Sequence, residues 1–357
     1  MKKLIKTSLF AIALIALCTP NMKAQNTIEE QLLNEFRALR RTVESVTSTY
    51  NQIISRVDDL MWHQMMADIA YVDKVRLAGL PRTTVPDPNN RFATNPPQFV
   101  SYVIIPKSID PNKKYPLIVL AHSGLPGGFS TFYAHIAREF IAQEYIVVAA
   151  EFRGGGGAGR DAYNGGLEIE DVLGSRDHMV NTYSIVDPNR VGIVGWSQGA
   201  MLAMMNLLTY PDKYNCAFAG VPILDVEAQF NAIPPSSANA TAYNPRATQT
   251  TPSAQRRAPS VLASSLRKPL LIHNNMNGDD LYVREVLLTV DALKRNNKTF
   301  EYKVVEDFPG GHSSNWIDAG PNTAIRLEVH KFLEKYLNPP KPFKTHEDLR
   351  KAAYRFY

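Results

Sequence analysis

Short apolar runs alternate with helical patterns through the C-terminal part of this chain, and that alternation limits its fold more than any other feature. The runs are rich in β-branched and aromatic side chains and cover residues 99–105, 117–121, 146–150, 191–195, 218–221, 270–273 and 300–305. Helical patterns separate most of them, near residues 131–143, 167–182, 199–209, 283–296 and 323–336. Parallel strands need long crossover connections and are buried on both faces. The sequence therefore predicts an α/β domain with a mostly parallel sheet and helices on both faces.

The length and composition allow one large domain with shorter flanking segments. With 357 residues, of which 45% are hydrophobic, the chain can bury a sizeable core but is short for two enzyme domains. We divide it into a signal peptide (1–24), an N-terminal helical segment (25–80), a proline-rich connector (81–97), the α/β domain (98–338) and a C-terminal tail (339–357). Within the domain, residues 229–260 are polar and almost free of aliphatic side chains, which is typical of a lid or another mobile insertion.

The first residues have the composition of a signal peptide. Lys2, Lys3 and Lys6 precede the apolar run 8–18, which is shorter than the roughly 20 residues of a membrane span. We place the cleavage after Ala24 and predict export to the periplasm or the exterior. Residues 1–24 contain four lysines and no acidic residue, so their removal lowers the net charge from +5 to about +1. The remaining chain has no basic face that would suggest nucleic-acid binding. It also has no segment long and apolar enough to be predicted as a membrane span.

A heptad pattern marks the chain before residue 61. Apolar side chains recur there at alternating spacings of three and four residues, at Phe36, Leu39, Val43, Val46, Tyr50, Ile53, Val57 and Leu60. This spacing is typical of a coiled coil or of a helix packed along another helix. Thr42, Thr47 and Thr49 occupy flanking positions where coiled coils often carry ion pairs. Two interpretations stay open: a long helix on the protein's own surface, or self-association into a homo-oligomer.

The strongest local signal for chemistry is the pentapeptide Gly195-Trp196-Ser197-Gln198-Gly199. It follows an apolar run and precedes a helical pattern, which is the strand–turn–helix context of a nucleophile elbow. In such an elbow the turn exposes the serine, and the flanking glycines let strand and helix pass closely. The backbone N–H of Gln198 would lie at the helix N-terminus and could stabilise an oxyanion. The pentapeptide therefore predicts Ser197 as a nucleophile.

A serine nucleophile needs a general base and an acid that orients the base, and in an elbow fold the chain order is serine, acid, histidine. His312 lies in a glycine loop directly after the last predicted strand, so we predict it as the base. His330 falls in a predicted helix and His346 in the charged tail, and we interpret both as surface residues. Asp279 and Asp280 both follow the preceding strand. The local pattern favours Asp280 as the acid, with Asp279 as the alternative.

A second oxyanion donor is expected in the loop after the strand at 117–121. The candidates are the backbone N–H groups of Ser123 and Gly124. The glycine run 154–159 contains G-x-G-x-x-G, but no helix opens directly after it, so we predict no dinucleotide site. The chain has no H-E-x-x-H or C-x-x-C motif, and Cys216 is its sole cysteine after residue 24. We therefore predict no metal, no other cofactor and no intrachain disulfide.

Several stretches match one known family in order and spacing. They are Arg153-Gly154 with its glycine run, residues 186–193 leading into the elbow pentapeptide, residues 280–283, and Gly311-His312-Ser313. On these stretches, residues 96–337 resemble the catalytic domain of the prolyl oligopeptidase (S9) family, within the α/β hydrolases. The resemblance implies an α/β-hydrolase fold and serine-type peptidase or related acyl-hydrolase chemistry. It also implies a triad of Ser197, Asp280 and His312.

Three features depart from that family. Its peptidases often carry a β-propeller that filters substrates, whereas residues 25–97 here have a helical pattern and a connector. Gln198 stands where those peptidases usually have tyrosine, Ala200 replaces a common glycine, and His122-Ser123-Gly124 replaces His-Gly-Gly. We predict a serine-type peptidase acting on a peptide, with cleavage of a small carboxylester, such as a carbohydrate ester, as the alternative. A remote third interpretation is a binding protein that keeps the hydrolase fold without catalysis.

Overall fold

A computed structural model of the chain describes residues 2–81, 96–123, 128–153, 167–224, 258–276, 281–306 and 320–354. The chain divides into two units, Met1–Leu60 and Met61–Tyr357. We call them the helix unit and the α/β unit. The helix unit consists of helix α1 (Lys2–Met66) up to Leu60. Residues 61–66, at the end of α1, belong to the α/β unit.

The heptad residues of the helix unit are exposed. From Phe36 to Leu60, the eight apolar side chains of the pattern keep 50–72% of their surface accessible. An apolar stripe of this kind is stabilised only when another surface covers it. The predicted N-terminal helical segment is confirmed for residues 30–66. Among the described residues, no helix combines the length and the apolarity needed to cross a membrane.

One sheet forms the centre of the α/β unit. Its strands are β1 (Ala70–Ala78), β2 (Gln98–Pro106), β3 (Tyr115–Ala121), β4 (Ile146–Ala150), β5 (Val186–Trp196), β6 (Cys216–Gly220), β7 (Leu270–Met276) and β8 (Glu301–Glu306). Their order in the sheet is β1-β2-β4-β3-β5-β6-β7-β8. β2 pairs antiparallel with β1 and with β4, and the other neighbours are parallel. The predicted strands and the mostly parallel sheet are confirmed.

Helices cover both faces of this sheet. After α1, the described helices are α2 (Ala134–Ala142), α3 (Glu168–Thr182), α4 (Gln198–Thr209), α5 (Leu281–Arg295), α6 (Gly320–Leu337) and α7 (His346–Ala352). Apolar side chains of α3, α4 and α5 share one core with Leu117 and Val119 of β3. The alternate residues Ile118 and Leu120 belong to a second core with α2, α6 and the end of α1. This layered arrangement is the α/β-hydrolase fold expected from the sequence.

The sequence predicts a helical segment up to residue 80, and this prediction is wrong for residues 70–78. They form β1, which pairs along its whole length with β2. In β1 the partly buried Val72, Val75 and Leu77 are separated by exposed charged residues. Val72 packs against the second core and Val75 and Leu77 against the first, so each face of this edge strand is only partly covered, and charged residues are tolerated between them. It therefore lacks the continuous apolar run by which the central strands are recognised.

The C-terminal tail is part of the α/β unit and does not start a separate segment at residue 339. Helix α7 buries Leu349 and Ala352 in a small cluster with Phe343 and with Leu327 of α6. The prediction of a tail outside the domain is therefore wrong, because its few apolar side chains are enough to fix a short helix on the core.

His330 is buried, so its interpretation as a surface residue is wrong. It is 2% exposed, its Nε2 donates to the Glu139 carboxylate at 3.0 Å, and its Nδ1 accepts from the Gln143 amide at 2.9 Å. Helix α6 turns this side chain toward α2, where both ring nitrogens have partners, and a buried polar group with partners is tolerated. His346 is exposed, as predicted.

Several predicted features lie outside the described residues. They are most of the connector 81–97, Gly124, the glycine run 154–159, most of the polar insertion 229–260, Asp279, Asp280 and His312. For these features the interpretations from the sequence stay predictions.

Candidate active site

The elbow between β5 and α4 places Ser197 at the carboxyl edge of the sheet. Its backbone has φ 56° and ψ −122°, a conformation that residues other than glycine rarely adopt. The neighbouring β6 and the loop after it hold this backbone. The Ser197 N–H donates to the Gly220 carbonyl at 2.9 Å, and the Ser197 carbonyl accepts from Ile223 at 3.2 Å. The strained turn expected from the pentapeptide is thus present.

Close backbone contacts require both glycines of the pentapeptide. A Cβ on Gly195 would lie 2.2 Å from the Gly199 carbonyl oxygen, and a Cβ on Gly199 would lie 2.0 Å from the Ala121 carbonyl oxygen. No side chain fits at such distances, so the absent Cβ of glycine is needed. The second contact brings the first turn of α4 against the end of β3. The loop after β3 therefore begins beside Ser197.

The ends of β7 and β8 lie at the same edge of the sheet as Ser197. One row of paired residues crosses the last four strands: Trp196, Gly220, His273 and Lys303. β7 and β8 continue past this row and end at the paired residues Met276 and Glu306. Neighbouring strands are about 4.8 Å apart, so β7 and β8 run about 10 and 14 Å from β5. The segments with Asp279, Asp280 and His312 directly follow these ends, outside the described residues.

Tyr133 holds the start of the loop after β3. Its hydroxyl accepts the N–H of Ser123 at 2.7 Å and donates to the Ser123 carbonyl at 3.2 Å. Both residues are buried, and burial raises the pKa of Tyr133, so the hydroxyl keeps its proton at neutral pH. The Ser123 N–H, one of the two predicted oxyanion donors in this loop, is therefore engaged by Tyr133. The other, Gly124, lies outside the described residues.

His122, the residue before Ser123, is a buried imidazole. Its ring stacks on Phe152 with 4.3 Å between centroids, and its Nδ1 lies 3.4 Å from the Ser123 carbonyl. Burial lowers the pKa of His122, and the Glu151 carboxylate opposes this with a smaller effect. His122 is therefore neutral at physiological pH. A neutral, stacked ring supports the shape of the loop.

Glu151 is a second anchor of this loop, which the sequence analysis missed. It directly follows β4, is 6% exposed, and its carboxylate accepts the N–H of Phe129. A Cβ on Gly128 would lie 2.7 Å from the same carboxylate, so glycine at this position allows the approach. A carboxylate directly after an apolar strand is the sequence signal that could have indicated such a role. Its partner 22 residues away gives no further signal.

A buried ion pair anchors the chain where the glycine run begins. Arg153 Nε and Nη2 each lie 2.7 Å from a carboxylate oxygen of Asp171 in α3, and Nη2 also donates to the Leu80 carbonyl at 3.0 Å. Both side chains are almost fully buried. Two parallel hydrogen bonds in this fork geometry make a buried pair tolerable. Arg153, which carries part of the family resemblance, thus fixes the chain at the edge of the sheet.

The sheet order and the serine at the elbow define the class: the chain has the α/β-hydrolase fold, with a serine at the position of its nucleophile elbow. Comparison with known proteins gives the family. A sequence model of the prolyl oligopeptidase family matches residues 131–339, more than half of the chain, and the chain belongs to this family. A model of platelet-activating factor acetylhydrolase, isoform II, matches residues 98–158.

Individual relatives are peptidases that are longer than this chain. The chain is 24% identical over 267 residues to dipeptidyl-peptidase 5 of Porphyromonas endodontalis, which covers 68% of this chain and 36% of that protein. It is 25% identical over 225 residues to dipeptidyl aminopeptidase BIII of Pseudoxanthomonas mexicana, which covers 58% of this chain and 33% of that protein. The chain thus spans about a third of the length of these relatives.

Solved structures agree on the fold. A putative dipeptidyl aminopeptidase IV from Bacteroides ovatus matches with a TM-score of 0.57 and 18% identity, over 75% of this chain and 36% of that chain. An acylaminoacyl peptidase in complex with Z-Gly-Gly-Phe-chloromethyl ketone matches with a TM-score of 0.56 and 18% identity, over 81% of this chain and 45% of that chain. At these identities the likeness establishes the fold alone.

Proposed function

We propose that the protein is a serine peptidase with the triad Ser197, Asp280 and His312. The observation that carries the proposal is Ser197 at a strained elbow, at the sheet edge where the segments with Asp280 and His312 begin. Membership of the prolyl oligopeptidase family supports a peptide substrate. Asp279, directly before Asp280, is the alternative acid.

In the proposed reaction, Ser197 Oγ attacks the acyl carbon of the substrate while His312 takes the hydroxyl proton. Asp280 orients the imidazole and stabilises its charged form. The N–H of Gln198, in the first turn of α4, and the N–H of Gly124 stabilise the oxyanion. His312 gives its proton to the leaving amine, and an acyl-enzyme forms. A water molecule, deprotonated by His312, then attacks the acyl carbon and releases the acid and the free serine.

Two classes of chromogenic substrate test the peptidase proposal. The purified protein would be assayed by kcat/KM on aminoacyl- and prolyl-nitroanilides, and on acetyl and butyryl nitrophenyl esters. Amide cleavage needs stronger protonation of the leaving group than ester cleavage, so activated esters should react faster even with a peptidase. We expect anilide cleavage that disappears in Ser197→Ala. Ester cleavage without any anilide or peptide turnover at high enzyme concentration would overturn the peptidase proposal.

Carboxylester cleavage is the second candidate function. One observation favours it: residues 98–158, which include β2, β3 and β4, match platelet-activating factor acetylhydrolase, isoform II. Gln198 and Ala200 also depart from the usual elbow of the family's peptidases. Acetylated carbohydrates added to the same substrate panel separate the two candidates. Their deacetylation at a higher kcat/KM than any anilide or peptide would favour the esterase.

We further propose that residues 1–24 direct export and are then removed. Lys2, Lys3 and Lys6 followed by the apolar run 8–18 support this. Fractionation of cells that produce the full chain should place the protein in the periplasm or the medium. Its N-terminal sequence is expected to start at Gln25. A cytoplasmic protein that keeps Met1 would contradict the proposal.

We also propose that the chain is a homo-oligomer held together by α1. The heptad stripe from Phe36 to Leu60 is 50–72% exposed in the single chain. At 1.5 Å per residue the stripe is about 36 Å long, and the same stripe on a second copy can cover it by knobs-into-holes packing. Threonines occupy flanking positions where coiled coils often carry ion pairs. Apolar contacts would therefore provide most of the stabilisation between the two copies.

Truncation tests this self-association. Deleting residues 25–61 removes the stripe but keeps Trp62, Met65 and Met66, which are buried in the α/β unit. We expect light scattering to give an oligomer for the full mature chain and a monomer for the truncated one, with turnover retained. Equal assembly of the two proteins would contradict the proposal. A monomer in both, with a lower melting temperature after truncation, would favour the other interpretation, a helix on the protein's own surface.

A further inference from the structure

A stack of buried aromatic rings links the last turn of α1 to the loop after β3. Trp62 stacks on Phe129 with 5.3 Å between ring centroids and 18° between planes, and Phe129 stacks on Tyr133 at 5.2 Å and 16°. Tyr102 of β2 packs against Phe129 at 4.9 Å. All four residues are at most 5% exposed. Close packing of this kind leaves Tyr133 little freedom to move.

We propose that Tyr133 is a positioning residue for the oxyanion-binding loop, and that Phe129 and Trp62 hold Tyr133 in place. The inference rests on the proposed function, in which a backbone N–H of this loop binds the oxyanion. The Tyr133 hydroxyl bonds both the N–H and the carbonyl of Ser123, so it fixes the two peptide units that meet at this residue. Because a peptide unit is planar, fixing its carbonyl also fixes the direction of the N–H at its other end.

The loop is held at further described points. Glu151 accepts the N–H of Phe129, and Gly199 of α4 lies against the Ala121 carbonyl. Oxyanion donors stabilise a transition state only when they are already in position, and a displacement of about 1 Å can lower turnover about 10²-fold. Loosening this loop should therefore lower kcat while leaving substrate binding, and with it KM, nearly unchanged.

Tyr133→Phe tests the proposal because it removes the hydroxyl and keeps the ring. Tyr214→Phe is the matched control: Tyr214 is 1% exposed, and its hydroxyl donates to Asn206 at 3.0 Å near the start of β6, at the amino edge of the sheet. Tyr133→Phe loses the two hydrogen bonds with Ser123 and Tyr214→Phe loses the one with Asn206, so the control reports what the loss of a buried tyrosine hydroxyl does to stability away from the loop.

On nitrophenyl acetate, we expect Tyr133→Phe to lower kcat about 10- to 100-fold with KM within about twofold. Tyr214→Phe should keep kcat within about twofold, because its hydrogen bond lies away from the loop. Each kcat is calculated from the concentration of folded protein, which the melting curve of that preparation gives. Equal kcat in the two variants would overturn the proposal.

Substitutions of Trp62 test the far end of the stack and decide the matter if Tyr133→Phe fails to fold. Trp62→Phe keeps a ring against Phe129, whereas Trp62→Leu removes the stacking. We expect Trp62→Leu to lower kcat about fivefold or more and Trp62→Phe to restore most of that loss. The same kcat in both variants and the wild type would contradict the proposal, because loosening the stack would then leave the turnover unchanged.

Hydrogen exchange separates this inference from the proposed function. The Ser123 N–H should be protected in the wild type and exchange at least about tenfold faster in Tyr133→Phe, whether or not a substrate is turned over. Fast exchange in the wild type would show that Tyr133 does not hold this loop. Slow exchange in a wild-type protein that cleaves no substrate would instead refute the proposed function, and with it the catalytic purpose of the contact.

Discussion

Apolar side chains of the same type have opposite surroundings in the two units of this protein. Val43, Val46 and Val57 on α1 are 50–63% exposed, whereas Val119 and Val194 in the sheet are fully buried. In the α/β unit, helices and sheet complete a core within one chain. The stripe of the helix unit is exposed in the single chain. The comparison teaches that one chain can complete a core with some apolar side chains and leave others of the same type exposed, where the proposed self-association would cover them.

The largest expected effect tests whether chemistry belongs to the α/β unit alone. Ser197→Ala removes the nucleophile, and turnover should fall about 10⁶-fold, the loss found for the nucleophile of a serine protease. Labelling by a fluorophosphonate should also vanish, while the mass by light scattering stays that of the wild type. Labelling that persists in the variant would refute Ser197 as the nucleophile, and an altered mass would mean that the two units are not independent.

The next effect sharpens the chemistry of the α/β unit. Asp280→Asn should lower kcat about 10³- to 10⁴-fold, because the base loses the carboxylate that orients it. Asp279→Asn should lower kcat about tenfold or less, through local charge alone. Steady-state kinetics of both variants on one ester make the comparison. The reverse ranking would assign the acid to Asp279 and leave the rest of the mechanism standing.

A third prediction concerns the helix unit alone. Val46→Glu combined with Ile53→Glu puts two charges into the stripe, and we expect self-association to weaken at least about 100-fold, since each 1.4 kcal/mol is a factor of ten. Ser48→Glu combined with Ser55→Glu adds the same charges on the other side of the helix, where both serines are exposed, and should leave assembly unchanged. Sedimentation of the two variants and their kcat are the measurements. Equal dissociation in both pairs would argue against the stripe as the contact.

The smallest expected effect concerns the stability of the α/β unit in acid. His273 in β7 is 3% exposed, and burial lowers its pKa from the usual 6.5 to about 4. The unfolded chain therefore binds this proton more readily, so the folded state is fully favoured above pH 6.5 and loses that advantage as the pH falls toward 4. Between pH 7 and pH 5 the loss is about 2 kcal/mol, at 1.36 kcal/mol per pKa unit.

His273→Gln removes this titration, so its free energy of unfolding should fall less than that of the wild type between pH 7 and pH 5. Urea unfolding of both proteins at the two pH values checks this. Identical pH dependence would mean that His273 does not titrate as its burial suggests. The self-association proposed for the helix unit, measured in parallel, should be equally strong in the wild type and in His273→Gln.

The central strands could be predicted because burial on both faces leaves a continuous apolar run. β4 was predicted with the bounds it has in the structure. β1 could not be recognised, because this edge strand is only partly covered on both faces and the exposed Asp73, Lys74 and Arg76 interrupt its apolar run. His330 was misjudged for a related reason: its partners Glu139 and Gln143 are about 190 residues away, and only the packing of α6 on α2 brings them together.

Within the site, the elbow could be predicted because its requirements are local. Gly195 and Gly199 stand beside the serine in the sequence, and each is needed for a contact of the same turn. Tyr133 and Glu151 were not predicted. A tyrosine in a helical pattern has many roles, and the position of Glu151 directly after an apolar strand indicates an anchor without indicating its partner. Their partners Ser123 and Phe129 become apparent only when strand order and ring packing are known.

Because Ser197 has a positive φ, the residue that would best stabilise this turn differs from the residue that the proposed reaction needs. Glycine adopts a φ of 56° without steric strain, so replacing Ser197 by glycine would relax the turn and end the reaction at once. A lineage released from selection for hydrolysis is therefore expected to accumulate glycine at this position. It would keep the turn itself, since Gly195 and Gly199 still satisfy the packing of β5, α4 and β3. The strain of this turn is therefore tolerated for the sake of the hydroxyl only if the proposed function holds.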